Sequence, residues 1–480
     1  MGDVIPTHHP ARTLVLCFDG TGDCFDQDNS NIVQFFSMLQ KGNRDEQMVY
    51  YQAGIGTYTV PEIATPLMSK ISKTLDMMIA WNLDAHVMGG YEFLMQNYTV
   101  GDRICIFGFS RGAYTARALA GMIHKVGLLP QGNRQQVPFA YKMYTSTTDL
   151  GWKQSTAFKK AFSMDVDIEF LGVWDTVSSV GIIPRTLPFT TSNSVINTFR
   201  HAVSLDEHRA RFPANLYNRP TAHEAALGTQ PGEMPKVDVK YPGPPHQQQR
   251  SDSGKHKTMR AQEREFTESE GRNRLTDVLE VWFAGCHCDV GGGSVDNESR
   301  HNLARIPLRW MIRQCFLAKT GIRFHGELLR TIGLEPASLY PEVLPRPEAL
   351  EVSALDTFAK FKKPKDFETI EHNAHLTEEQ EELIDSLCPI YDQLSLAPHW
   401  WLLEFFPTKE RVQDEHNHWK KEITVNAGRG RIIRAHQHCD ECTINVHRSV
   451  KVRMEAAELL PRGKYTPKAR MHNTTMKFVD

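Results

Sequence analysis

Residues 103–113 read Arg-Ile-Cys-Ile-Phe-Gly-Phe-Ser-Arg-Gly-Ala, an apolar run that meets a Gly-x-Ser-x-Gly pattern at Gly108 to Gly112. Ile104, Ile106 and Phe107 suit a buried strand. Ala113, Ala116, Ala120, Ile123 and Val126 then recur at helical spacing until Gly127 ends the run. A strand turning sharply into a helix across this pattern is the layout of a nucleophile elbow, which displays a serine hydroxyl at the end of a sheet strand. By composition alone the bare pattern would occur about 0.16 times in a chain of this length, so the flanking strand and helix carry the reading. Glycines suit both ends of the turn because neighbouring backbone must come close to it. Ser110 is the expected nucleophile.

Outward from this turn, apolar runs alternate with helical patterns. Thr13 to Phe18 reads as a first strand ending in Asp19-Gly20-Thr21-Gly22, and Met48 to Gln52 as a second, followed by Ala53-Gly54-Ile55-Gly56-Thr57. A helical stretch covers Asp76 to Met95. Ile168 to Trp174 leads into Asp175, and Val278 to Phe283 leads into Ala284-Gly285-Cys286-His287. The alternation predicts an α/β fold, a mostly parallel sheet with helices on both faces, whose active site assembles at the strand ends. Residues 1–335 form the expected core. Within it, 221–276 are rich in Pro, Gln and charged residues and read as a flexible insertion. Residues 336–480 read as a C-terminal extension packing on the core, a candidate cap or lid. It holds a helix from Thr377 to Leu387, closed by Pro389, and late strands at Ile423–Val425 and Arg431–Ile433.

A serine hydroxyl needs a base to take its proton and a carboxylate to orient that base. In α/β-hydrolases the chain order is serine, acid, histidine. Asp175 and His287 follow Ser110 in that order, each just past an apolar run, and the glycines at 291–293 would let the histidine loop bend back. The rival acid is Asp206, in a stretch that reads as helical and so points to salt bridges; His399 and His447 are rival bases. For the oxyanion, the expected donors are the amide of Arg111 and the Gly20-Thr21 turn, with Gly54 to Thr57 as a weaker choice. The plain alternative for that first turn is Asp19 bonding its own backbone. Asp19 and Phe109 beside the turns, Ile182 just past Asp175, and Trp400 and Trp401 in the aromatic run 399–407 are the candidate substrate-facing residues.

The 480 residues carry a formal net charge of −2, which argues against general nucleic-acid binding, and a 40% hydrophobic content supports a packed core. No apolar run approaches the ~18 residues of a membrane span. The N-terminus lacks the basic segment and apolar core of a secretory signal, and nine cysteines without regular spacing read as reduced thiols, so the expected location is cytoplasmic. Gly54-Ile55-Gly56 lacks the third glycine of a dinucleotide fingerprint, and there is no Walker A loop and no H-E-x-x-H. The leading reading therefore needs neither cofactor nor metal. Two clusters, His436 to Cys442 and Cys286-His287-Cys288, keep a zinc alternative open, although four ligands from 436–442 alone would be cramped.

Six segments together resemble a known group: Phe18 to Thr21, Gly54 to Thr57, Gly108 to Ala113, Val173 to Val177, His201 to Glu207, and Trp282 to Gly293. They resemble the α/β-hydrolase domain shared by type VI secretion phospholipase effectors and many fungal proteins, over about Thr13 to Arg300. The resemblance implies a serine esterase or lipase acting on ester or lipid substrates. It carries the nucleophile onto Ser110, the acid onto Asp175 and the base onto His287. A hydrolase-like binding module without turnover is the alternative.

Overall fold

The structure is a computed structural model. It describes residues 4–7, 11–20, 23, 25–54, 68–177, 187–217, 276–358, 376–413, 419–434, 443–457, 459–460 and 463–480. The insertion 221–276 lies outside these except for Thr276.

Eight strands form the principal sheet: β1 Thr13–Phe18, β2 Gln47–Gln52, β3 Arg103–Phe109, β4 Ile168–Trp174, β5 Ile196–Ser204, β6 Asp277–Phe283, β7 Thr443–His447 and β8 Thr475–Val479. Their spatial order is β8-β7-β6-β5-β4-β3-β1-β2, and every pairing is parallel. The chain grows from β1 to β2 on one side and then returns to add β3 and its successors on the other. Strand order thus reverses between β1 and β3, and crevices for ligands form beyond the strand ends at such a point.

Along β1, Leu14, Leu16 and Phe18 enter one core while Val15 and Cys17 enter another. The first core lies under α2 (Met68–Asn97), α3 (Ser110–Val126), α4 (Val137–Thr145) and α5 (Asp149–Phe162). The second lies under α1 (Asn31–Met38) and a helix at Arg305–Leu317. A strand buried on both faces needs apolar residues at every position, which is why these runs read so clearly in sequence.

Two sequence expectations are corrected. Residues 196–204 form β5, a central strand, where a helical pattern was expected. Asn197, Thr198, Arg200 and His201 interrupt the apolar residues here, so the strand shows neither an alternating nor a continuous apolar pattern. The late strands are Trp419–Thr424 and Ile432–Arg434, shifted from the expected ranges.

Chain beyond 336 enters the same sheet as β7 and β8, with Val446 of β7 opposite Trp282 of β6. The helix Glu378–Leu387 begins with a capping box at Thr377 and Gln380, as its sequence predicts. Its buried carboxylates dock on the core through arginines. Glu381 accepts Arg305 at 2.9 Å and also pairs with Arg300, while Asp385 pairs with Arg309 at 2.7 Å and His301 at 3.1 Å. The two guanidinium groups hold the Asp385 carboxyl below the usual range against the opposing cost of burial. Asp385→Ala should leave Arg309 buried without its carboxylate partner, with Arg305 kept only by Glu381, and lower unfolding stability by about 3–5 kcal/mol, read by urea or guanidinium denaturation.

Candidate active site

Ser110 begins α3 directly from the end of β3 with a positive φ of 57°, a conformation that costs a non-glycine residue energy. The turn survives because its surroundings admit nothing else. A Cβ on Gly112 would sit 2.3 Å from the carbonyl oxygens of Phe18 and Asp19, and one on Gly108 would sit 2.5 Å from Gly112 O. The two glycines let the end of β1 pack against the start of α3. Asp175 also has positive φ, at 37°, where β4 ends.

His287 opens the short helix His287–Gly291, which is closed by Gly292 at φ 82°. A Cβ on Gly292 would lie 2.5 Å from Asn31 N, and Asn31 donates its side-chain amide to Val290 O at 2.9 Å. The loop is thereby pinned to α1. It delivers the imidazole between the other two groups. Nδ1 lies 2.6 Å from Asp175 Oδ2 and Nε2 lies 2.8 Å from Ser110 Oγ. An ionised carboxylate can only accept, so Nδ1 carries the proton, leaving Nε2 of the neutral ring to accept the serine hydroxyl. All three side chains are buried; Ser110, the most accessible, is 5% exposed. Burial, the largest influence, lowers the imidazole pKa, while Asp175 raises it. The Asp175 carboxyl is held far below its usual range by Arg431 and His287 despite complete burial.

Arg431 has no sequence signal pointing to the site. It comes from 256 positions downstream and donates to both Asp175 oxygens, at 2.6 and 2.9 Å. His201, within the His201 to Glu207 segment, is a second residue whose role the sequence does not reveal. Its Nε2 accepts the Thr176 amide at 3.1 Å and its Nδ1 faces Glu280 at 2.8 Å, fixing the backbone just past Asp175. Asp206 is corrected. Its carboxylate accepts Gly285 N at 2.6 Å, Tyr465 Oη at 2.7 Å and Lys468 N at 2.9 Å, in place of the expected salt bridge. It braces the loop that carries His287. His447 lies against Phe283 and bonds Ser449, away from the serine. The side chain of His399 lies outside the described residues.

Arg111 is the second residue of α3, where helix amides have no partner within the helix and carry partial positive charge. Its guanidinium lies near Asp23. Burial brings Arg111 down to about 10, and burial with the nearby Asp19, Asp26 and Asp28 lifts Asp23 to about 8. Gly20 is different: its amide donates to Asp19 Oδ1 at 2.8 Å. That amide is engaged, which corrects Gly20 as an oxyanion donor and realises the plain alternative for the turn. Asp19 also accepts Ser30 Oγ at 2.6 Å and Tyr51 Oη at 2.8 Å, so it braces the turn from beneath. Thr21, Ile55 to Thr57 and Ile182 lie outside the described residues.

Phe109 packs against the His287 ring at a tilt of 31°, centroids 4.7 Å apart. Phe212 meets that ring edge-on at 4.9 Å, and Trp400 packs behind Phe212 at 5.6 Å. Trp400 therefore reaches the site through Phe212, whereas Trp401 is 40% exposed and packs on Phe405. A cleft of about 360 Å³ beside Cys288 and Gly292 does not include Ser110 in its lining.

Among the described residues, one cluster has metal-ligand spacing, His301 with Glu381 and Asp385. Arg300, Arg305 and Arg309 already neutralise its carboxylates, so a cation there would face three guanidinium groups. Cys286 donates its thiol to Asp206 O at 3.4 Å, and residues 436–442 of the zinc alternative lie outside the described ones except in sequence.

A family model describing the catalytic domain of Tle1-like phospholipase effectors of the type VI secretion system matches residues 12–314. The chain belongs to this family. It is 29% identical to the uncharacterised protein YEL023C of Saccharomyces cerevisiae, over 89% of this chain and 78% of that one. Two solved structures are more distant. An uncharacterised Pseudomonas aeruginosa protein is 16% identical with a TM-score of 0.33, covering 66% of this chain and 47% of its own. The Tle1 effector bound to the VgrG spike of a type VI secretion system is 16% identical with a TM-score of 0.28, covering 61% and 57%. This chain thus spans about half the length of the solved structures it matches. Ser110, Asp175 and His287 all lie inside the Tle1-like match, and Arg431 lies outside it. Among the described residues no helix is long and apolar enough to cross a membrane.

Gly112→Ala should destabilise the fold, because its methyl group would meet two backbone carbonyls that cannot swing away. The expected readout is a lowered melting temperature.

Proposed function

We propose that the chain is a serine hydrolase that cleaves carboxylic esters of lipids, with Ser110 as nucleophile, His287 as general base and acid, and Asp175 as the orienting acid. The observation that carries this reading is the unbroken hydrogen-bonded chain from Ser110 Oγ through His287 to Asp175, at 2.8 and 2.6 Å. Membership of the Tle1-like phospholipase family supports a lipid substrate.

In the first half-reaction, Ser110 Oγ attacks the acyl carbonyl as His287 Nε2 takes its proton. Asp175 holds Nδ1–H and stabilises the imidazolium that forms. The carbonyl oxygen becomes an oxyanion at the start of α3, where the Arg111 amide and the positive end of the helix meet it. Collapse breaks the ester C–O bond, and His287 returns the proton to the departing alcohol. Water then attacks the acyl-enzyme with the same base, releasing the fatty acid and restoring Ser110. Phe109 and Phe212 around the imidazole keep bulk water from it and strengthen each charge interaction.

Ser110→Ala is expected to abolish turnover of p-nitrophenyl acyl esters and labelling by a fluorophosphonate. Undiminished labelling would remove Ser110 from the mechanism. Asp175→Asn is expected to lower kcat by about 10⁴-fold through the wrong imidazole tautomer, whereas Asp206→Asn should act chiefly on stability. A panel of phospholipids and simple esters then sets the substrate class. An intact wild-type chain inert to every probe would point to a binding module.

The base must be neutral to accept the serine proton. Burial lowers the imidazole pKa from its ordinary 6.5, so activity should persist as pH falls below that value and be lost only as pH passes the lowered one. A pH profile of kcat/KM with an acid limb above 6.5 would contradict this.

A further inference from the structure

Two carboxylates hold His287, Asp175 at the ring and Glu207 at the backbone amide, and each carboxylate carries its own arginine. Glu207 receives Arg209 Nε at 3.0 Å and Nη2 at 2.9 Å, and its Oε2 accepts the His287 amide at 3.2 Å. Asp175 receives Arg431 through both terminal nitrogens, and Ser204 N adds a third donor at 2.9 Å. The remaining donors of Arg431 go to backbone: Nε and Nη2 to Phe212 O at 3.0 and 2.7 Å, and Nη1 to Ser204 O at 3.2 Å. A guanidinium held at this many points has one orientation. It imposes that orientation on the carboxylate it faces.

We propose that Arg431 is a positioning residue of the Ser110 site, a clamp supplied by the C-terminal segment that sets the plane and charge of the Asp175 carboxylate for His287. The inference rests on the catalytic reading of Ser110, His287 and Asp175 and extends it, since Arg431 lies outside the 12–314 family match. Its consequence is that the catalytic-domain stretch is incomplete by itself. The acid is oriented only when the loop ahead of the strand Ile432–Arg434 has docked.

A carboxylate with no exposed surface, facing only a neutral amide and an imidazole, can offset its charge only by holding a proton on the imidazole beside it, the form that cannot act as a base. Arg431 removes that need by pairing both oxygens. The same cation offsets the pull of Asp175 on the proton of His287, as Arg209 offsets Glu207. The other groups on this loop stay uncharged or turned away. Burial raises the thiols of Cys286 and Cys288, and Asp289, lifted to about 7 by burial, accepts the amides of Cys286 and Tyr391. The rings of Phe109 and Phe212 complete the enclosure. Loss of Arg431 leaves Asp175 free to attract a proton onto His287, so the base should become harder to deprotonate.

The test uses the full chain with Arg431→Met and Arg431→Lys, checked for folding by circular dichroism and thermal melting. For hydrolysis of a p-nitrophenyl ester, kcat should fall about 10²-fold in both with KM little changed, because lysine restores charge but not the planar fork. The acid limb of kcat/KM should move up by about one pH unit in Arg431→Met. In a Ser110→Ala background, the His287 imidazole pKa read by NMR should rise when Arg431→Met is added, a readout that needs no turnover. Wild-type kcat and an unmoved acid limb in folded Arg431→Met, with Ser110→Ala inactive, overturn the clamp and leave the proposed function standing. Retained hydrolysis in Ser110→Ala overturns the proposed function instead, and the NMR titration then decides on Arg431 alone. Should Arg431→Met fail to fold, a folded Arg431→Lys with wild-type kcat overturns the clamp.

Discussion

The buried carboxylate of Asp175 gathers four distant parts of the chain onto one group. The end of β4 supplies it, β5 bonds it through Ser204 N, the loop after β6 bonds it through His287, and a segment near the C-terminus bonds it through Arg431. A charged group with no exposure persists in a protein interior only when its lone pairs are met. The geometry that meets them also fixes where His287 points. Stability and alignment at this point are therefore one requirement.

The same logic recurs across the side of the molecule where the C-terminal chain joins the core. Glu207 with Arg209, Asp206 with Tyr465 and two backbone amides, and Glu381 and Asp385 with their arginines all bury acid groups against named partners. Hydrophobic burial holds the sheet to its helices. Directional polar contacts decide how the later chain seats on it. Apolar packing tolerates sliding, whereas a bidentate ion pair admits one register.

The parallel sheet places these contacts where chemistry can use them. Strand order reverses between β1 and β3, so the turns after both strands face one crevice. Close backbone approach at Gly108 and Gly112 then sets Ser110 at the head of a helix whose amides have no other partner. Asp19 and Ser30 brace the opposite wall.

Much of this was legible in the chain before any coordinate. The runs Thr13–Phe18, Arg103–Phe109 and Ile168–Trp174 announce buried parallel strands, because a strand covered on both faces must be apolar throughout. Gly108, Ser110 and Gly112 are local chemistry, a turn written within five residues. Asp175 and His287 follow from chain order, since each ends an apolar run that the fold brings to the same edge. Strand β5 is hidden because Asn197, Thr198, Arg200 and His201 interrupt its pattern, the polar groups of Asn197, Arg200 and His201 being met by partners elsewhere in the chain. The engagement of the Gly20 amide, the bracing role of Asp206, and the entry of β7 and β8 into the sheet are likewise contacts between residues far apart in sequence. Arg431 is the clearest case: one arginine among many in the sequence, selected only by the backbone that carries it to Asp175. Local patterns determined the elements and the strand-to-helix turn at Ser110, because these depend on neighbours along the chain. Tertiary structure alone decided which polar groups meet, because a hydrogen bond depends on position in space.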